Sequence, residues 1–567
     1  MTGDPVENRE RGQALLDKIR EGFPSPFSSP LHDAYVGFTV MKVLDRLDAM
    51  KGRSHFLGEA RENDYAKARE AVLDEGMRSV EAVVDLLAGY LPGADLFAHP
   101  LQQFNVAPPS TLPSLLATLI TSLLNPNLLW DDWSRRFAEA EVEVSALLSE
   151  WVGYDKSRSV GISTYGGSGA TLYGVRMMTA KAVPGAAEHG LREDVKVVAS
   201  DAAHSCKYNA LEWLGIGRKN LVTVPTDDDN CLLPAETLEI VYDLLDRGEK
   251  LGGFICTLGT TDAFGMDDLT FIAGLRDQIV RKYNLDYVPH IHADAVIGWP
   301  YRVFHDYDFD ANPLGFTPDT LKSVRDTGLA VENLHLADSI GIDFHKTGYA
   351  PCISSFILLK DKDDLCHIHR TQEVIPYLFQ AGNYRPGLYT LELSRSASGV
   401  FSALANLRFF GKDGYRVLLS HPIEMANRLR RSLGEEPTAV VLNRYNFGPV
   451  TLFRLYPPGV DAAARYEAEI AGADGAADLE RHNEFNRQIY LRIREESRRG
   501  QCANLSLTTC YRKTPEGRPI YALKSFIMTP FVTPETMDTL VSTLLRIRDD
   551  LCGGQPFDDR PGGGPPG

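Results

Sequence analysis

Four short segments carry residue types that could do chemistry, and each stands where an apolar run ends. Thr164-Tyr165-Gly166-Gly167-Ser168-Gly169-Ala170-Thr171 follows a strand-like run and opens a helix-like one. Glycines let a ligand approach the backbone, and the free N–H groups of a helix N-terminus favour an anion, so a phosphate is the natural occupant. The segment has neither the Lys-Ser/Thr ending of a nucleoside-triphosphate loop nor the spacing of a dinucleotide fingerprint, and alone it reads more readily as an ordinary turn. Asp201–Lys207 puts His204 just after Val195–Ser200, where an imidazole can stack on a planar ring, move protons or simply be a satisfied structural histidine. In His290-Ile291-His292-Ala293-Asp294 the three polar side chains of a strand would share a face. No further His or carboxylate stands at a matching spacing, which disfavours a metal site. Asp294 is then a carboxylate at the carboxyl end of a strand, where α/β sheets bind ligands. Asp343–Pro351 sets Lys346 beside His345 directly after a strand. A lysine partly withdrawn from water loses pKa and can form a Schiff base with a carbonyl; a surface lysine is the plain alternative.

Each segment alone admits a bland reading, but the four together are the equipment for holding pyridoxal phosphate. Lys346 would take the aldehyde, Asp294 the pyridinium nitrogen, the helix N-terminus the phosphate, and His204 would face the ring.

These residues need a scaffold that brings strand ends together. Seven strand-like runs, Val160–Ser163, Val195–Ala199, Leu221–Val224, Phe254–Leu258, Val288–Ala293, Ser339–Asp343 and Ser355–Leu359, are mostly separated by helix-like stretches such as Ala170–Ala182 and Pro234–Leu245. That alternation predicts an α/β fold with a mostly parallel seven-stranded central sheet. After residue 400, helical stretches at Val400–Phe410 and Pro422–Ser432 precede four strand-like runs, a charged helix at Glu480–Arg499 and a last helix at Pro534–Leu551, which reads as a small α+β domain. Residues 1–60 are a loosely amphipathic arm broken at Pro24, Pro26 and Pro30. The expected organisation is an arm and helical segment over 1–150, a large cofactor-binding domain over 151–400, a small domain over 401–552 and a disordered Gly/Pro-rich tail over 553–567.

Composition narrows the function classes. With 59 Lys and Arg against 76 Asp and Glu the 567-residue chain has a formal charge of −17, a field that repels phosphate backbones, so nucleic acid is not an expected partner. The most apolar stretch, Leu112–Trp130, is interrupted by Pro113, Ser114, Thr118 and Asn125 and predicts a buried helix rather than a membrane span. The N-terminus has no apolar leader segment, and eight scattered cysteines without a CxxC pattern suit a reduced, cytoplasmic setting.

In this order the motifs resemble the group II pyridoxal-phosphate-dependent amino acid decarboxylases of fold-type I, a group that includes aromatic amino acid, glutamate and bacterial tyrosine decarboxylases and the sphingosine phosphate lyases. The matching segments are Thr164–Thr171, Ala203-His204-Ser205, Gly259-Thr260-Thr261, His292-Ala293-Asp294-Ala295 and Asp343–Lys346 followed by Gly348-Tyr349-Ala350-Pro351. The resemblance covers roughly residues 95–430. It implies Lys346 and His204 as catalytic residues, the first bonded covalently to the cofactor and the second stacked on its ring. Asp294 would pair with the ring nitrogen, Gly167, Ser168, Gly169 and His345 would lie on the phosphate side, and Thr261 near the ring. Gly169-Ala170-Thr171 stands where the family often has Glu-Ala-Asn, and Val296 is bulkier than the alanine common there.

The resemblance further implies a homodimer with an arm wrapped across the interface, converting a small L-amino acid to its amine and CO2. A carbon–carbon lyase or aldehyde-forming relative fits the same motifs; retention of Lys346 and Asp294 argues against an inactive scaffold. Leu101–Pro109 resembles the family's pocket-forming stretch and offers Phe104 and Val106 without a cation, so an aromatic or branched aliphatic substrate is preferred to an acidic one. For the proton returned to Cα the candidates are Cys352, where bacterial tyrosine decarboxylases have a tyrosine, and Tyr377 or Tyr384. Both tyrosines lie on a glycine-containing segment that could close as a lid.

Overall fold

The computed structural model describes residues 5–59, 62–444, 448–473 and 475–553. It divides into two compact units: one runs to Leu96 and takes in Glu496–Gln501, and the other spans Phe97–Glu495 and resumes at Cys502. Past Gly553 the expected tail lies outside the described residues. In the first unit the proline run ends one helix, Pro5–Glu21, and opens the next, Pro30–Met50, with Pro30 in the first turn where its missing N–H goes unused.

The second unit holds both sheets. The larger contains β1 (Val160–Thr164), β2 (Val195–Ser200), β3 (Leu221–Val224), β4 (Lys250–Thr257), β5 (His290–Asp294), β6 (Ser339–Asp343) and β7 (Ser355–Leu359), in the order β1-β7-β6-β5-β4-β2-β3. The five strands from β6 to β3 run parallel, and β7 is antiparallel to both β1 and β6. Every residue of β5, β6 and β7 is buried, as expected for strands covered on both faces. Helix Gly167–Ala182 lies against this sheet, and Gly174 permits the approach: a Cβ there would stand 2.5 Å from the His292 ring.

The smaller sheet contains β8 (Ala439–Val441), β9 (Val450–Leu455), β10 (Ser506–Lys513) and β11 (Pro519–Phe526), ordered β10-β11-β9-β8 and antiparallel throughout. Helix Pro534–Leu551 packs Met537, Leu540, Leu544 and Ile547 into its core. The two helical stretches expected after residue 400 run as Ser398–Gly434 with a break at Gly411 (φ 54°, ψ −163°), and the second stretch carries Pro422 within it.

One expectation fails. The apolar stretch after Leu112 does form a helix, Leu112–Leu124, but its buried residues are Ser114, Ala117 and Thr121. Leu112, Leu115, Leu116, Leu119, Ile120, Leu123 and Leu124 are exposed. The small polar face turns inward because it packs on helix Ser398–Gly434, where the Thr111 hydroxyl reaches Asn406 and Thr121 Oγ1 lies 2.8 Å from Ser398 Oγ. No helix among the described residues is long and apolar enough to cross a membrane.

Candidate active site

Parallel strands deliver their carboxyl ends to one edge of the sheet, and the four chemical segments meet there around a cavity of about 260 Å³. Gly167 and Ser168 arrive after β1, His204 after β2, Thr261 after β4, Asp294 and Val296 from the end of β5, and His345 and Lys346 after β6. Gly169 does not border the cavity; it packs against Thr164 and Tyr165. Gly166, at φ +91°, turns the chain into helix Gly167–Ala182, whose N-terminus no side chain caps, so its leading N–H groups are left for a ligand. Gly167 keeps that end open: a Cβ would come within 2.7 Å of Val296 Cγ1 and 2.9 Å of Asp343 Oδ2.

Two carboxylates and a lysine set the electrostatics. Asp294 is buried, and its Oδ1 has no hydrogen-bonding partner. Burial pushes its carboxyl pKa up, against the opposing charges of Lys346 and His204. Asp343 is fully buried; its Oδ1 accepts from Ser355 Oγ at 2.6 Å, and its Oδ2 lies 2.8 Å from Lys346 Nζ and 3.7 Å from His345 Nε2. The expected fall in the lysine's pKa is not what this arrangement produces. Burial pulls it down, but the charge and hydrogen bond of Asp343, joined by the charge of Asp294, carry it above the ordinary lysine value.

No protein-family model matches the chain. Among curated proteins, the L-2,4-diaminobutyrate decarboxylase of Acinetobacter baumannii is 22% identical over 435 residues, covering 71% of this chain and 78% of that one. The aspartate 1-decarboxylase of Aliivibrio fischeri is 22% identical over 467 residues, covering 76% and 77%. The solved structure of Oryza sativa TDC with PLP and tryptamine superposes with a TM-score of 0.73 at 16% identity, covering 93% of this chain and 99% of that one. The chain is thus similar in sequence to curated amino acid decarboxylases.

His290 and His292 do not face the cavity as ligands. His290 Nε2 and His292 Nδ1 each lie 2.8 Å from the Ser339 hydroxyl, and burial lowers both imidazoles to a pKa of about 3. Among the described residues no three His, Cys, Asp or Glu side chains are gathered to hold a metal. Of the three proton-donor candidates Cys352 borders the cavity and the two tyrosines do not. Tyr384 donates to Glu141 Oε2 at 3.1 Å, beside the buried Arg395–Glu141 ion pair, and Tyr377 is exposed. The lid segment is pinned at Asn383, whose N–H donates to Asp131 Oδ2 at 2.9 Å.

Thr257 and Lys524 escaped the sequence reading, and so did the role of Asp343. Thr257 lines the cavity with a buried hydroxyl that lacks a partner, and it is in register with Asp294 across β4 and β5; its place near the end of an apolar run was the available signal. Lys524, on β11, brings Nζ to 3.5 Å from Asn105 Oδ1 and 2.7 Å from Asp262 Oδ1. The Leu101–Pro109 stretch has no cation of its own but lies next to one already paired, and nothing local could signal that.

Proposed function

We propose that the chain is a pyridoxal-phosphate-dependent carboxy-lyase that converts an L-amino acid to its amine and CO2 as a cytoplasmic homodimer. The observation that carries this reading is Asp294 Oδ1, a buried carboxylate oxygen without a partner in the same cavity as Lys346 Nζ. Such an oxygen calls for a donor, and a protonated pyridine nitrogen is one. The donor set fits the rest of the cofactor: an uncapped helix N-terminus for a phosphate, a primary amine for an aldehyde, and Val296 and Ile297 as an apolar wall. When bound, the cofactor supplies a carbonyl for the substrate amine and a ring that accepts the electron pair left as CO2 departs.

The chain's residues would do the rest. Asp294 would hold a proton on the ring nitrogen. Gly167 and Ser168 would fix the phosphate end, with His345 beside them. His204 and Val296 would exclude water from the two sides of the ring, and Thr261 would stand at its edge. Lys346 would exchange places with the substrate amine, and Asp343 would hold its charge whenever the lysine stands unbonded.

The dimer reading is supported by the leucine ridge on helix Leu112–Leu124, too large an apolar face to leave in water. In the arm, Phe23, Phe27, Phe38 and Leu44 are exposed as well. Phe104 is also exposed, and the adjacent Lys524 charge is met by Asp262, which supports an aromatic or branched aliphatic side chain over an acidic one. All eight cysteines are free thiols, in keeping with a reduced compartment. The test is to load the purified protein with pyridoxal phosphate and assay amines from a panel of L-amino acids, with Lys346→Ala as control. Amine from the parent and none from the control is expected. Aldehyde in place of amine would move the chain to the aldehyde-forming branch, and no product with no visible absorbance would leave a scaffold.

A further inference from the structure

Lys207 is 1% exposed, and neither the motif match nor the proposed chemistry gives it a role. Its Nζ donates to the carbonyl oxygens of Ser200, at 2.6 Å, and Asp201, at 3.0 Å. Those carbonyls end β2 and begin the loop that carries His204. The lysine's own N–H donates to the His204 carbonyl at 3.2 Å, and the Cys206 N–H donates to His204 Nδ1, also at 3.2 Å. Residues 200–207 are therefore tied into a closed knot, with one ammonium clamping the strand end and the helix Cys206–Trp213 that follows. Because Nδ1 accepts, the neutral imidazole carries its proton on Nε2, so the knot fixes both the place and the tautomer of His204.

Burying an ammonium is costly, and Lys207 feels it: burial lowers its pKa to about 8, against the charges of Asp201, Cys206 and Asp267. An alkyl chain would avoid that cost but leave two carbonyls without a donor. We infer that Lys207 is a positioning residue for His204, holding the imidazole against the ligand cavity from behind the loop. The inference rests on the cavity being the cofactor site.

The test is a double-mutant cycle on cofactor binding, comparing the parent with Lys207→Met, His204→Ala and the double variant. Dissociation constants for pyridoxal phosphate are read from visible absorbance, and circular dichroism checks the fold. If Lys207 acts through His204, each single variant weakens binding about tenfold and the double variant is no weaker than the worse single. Losses that multiply, or parent-like binding by Lys207→Met, would overturn the inference. A parent that fails to bind the cofactor would instead sink the reading of the cavity. Should Lys207→Met not fold, Lys207→Gln, which keeps an N–H donor, takes its place in the same cycle.

Discussion

Lys346 Nζ lies 2.8 Å from Asp343 Oδ2, whereas Asp294 Oδ1 in the same cavity has no partner. The lysine is thus held as an ammonium by one carboxylate, and the other is left for a ligand. Capture of a carbonyl needs the free amine, so the pair sets the pH at which capture begins. Asp343→Asn removes the charge that raises the lysine's pKa. The pH dependence of cofactor capture, followed by absorbance in stopped flow, is expected to move to lower pH, with faster capture at pH 7. Linkage gives the matching stability statement: a raised lysine pKa stabilises the fold fully below the ordinary lysine range and is lost as pH climbs through the raised value. An unchanged or upward-shifted capture profile would count against the role.

Asp294→Asn should separate stability from activity. Burial raises the carboxyl's pKa in the folded protein, so its ionisation costs stability, increasingly as pH rises from the ordinary carboxylate range towards the raised value. The amide escapes that cost. The cofactor-free variant is expected to melt at the parent's temperature or above it at pH 7, while amine formation falls by about 10³-fold, roughly 4 kcal/mol of transition-state stabilisation. A variant within tenfold of the parent rate would remove Asp294 from the chemistry.

The donor candidates now make different predictions. Tyr384→Phe takes a donor from buried Glu141, so it should cost about 1–2 kcal/mol of stability and leave the amine-to-aldehyde ratio alone. Tyr377 is exposed and does not border the cavity of its own chain; in the proposed dimer it would reach a site only from a neighbouring protomer. Tyr377→Phe is expected to shift product towards aldehyde, and Cys352→Ser to leave the ratio nearly unchanged. If only the Cys352 variant shifts it, the thiol is the acid.

Leu116→Glu together with Ile120→Glu should convert the proposed dimer to monomer. Both side chains stand on the exposed ridge, so the charges meet water in a monomer and an apolar partner face in a dimer. Sedimentation should show the mass halve while circular dichroism is preserved. A stable dimer after the change would place the interface elsewhere.

Much of this was legible in the residues. Asp294, His204 and Lys346 could be placed because each follows an apolar run, and parallel strands bring such ends together whatever lies between. The bounds of β3, β6 and β7 follow from their apolar runs alone. β4 begins at Lys250 rather than Phe254 because Gly252 and Gly253 look like a break, whereas they make room for neighbouring strands. A Cβ on Gly253 would stand 2.0 Å from the His290 carbonyl oxygen and one on Gly252 2.6 Å from Val195 Cγ1. The inverted helix was illegible for another reason: its leucines announce a surface that avoids water, but not whether its own chain or a second copy supplies the cover. The Lys346–Asp343 pair was in plain view three residues apart, yet its effect on the lysine depends on burial of both groups, which spacing does not reveal.

The hydroxyl that His290 and His292 share has a consequence of its own. Ser339 carries a single hydrogen, so at most one of the two rings can accept from it and the other must donate. Asp338 Oδ2, 4.0 Å from His290 Nδ1, favours a proton on that nitrogen, which makes His290 the acceptor and His292 the donor. The unpartnered His292 Nε2 is then a bare lone pair. The four groups form a one-way chain of polarity from Asp338 inward, and neither imidazole can change tautomer unless the serine turns with it. Both imidazoles therefore stay neutral near pH 7, and the charge of the chain rests on Asp338 alone.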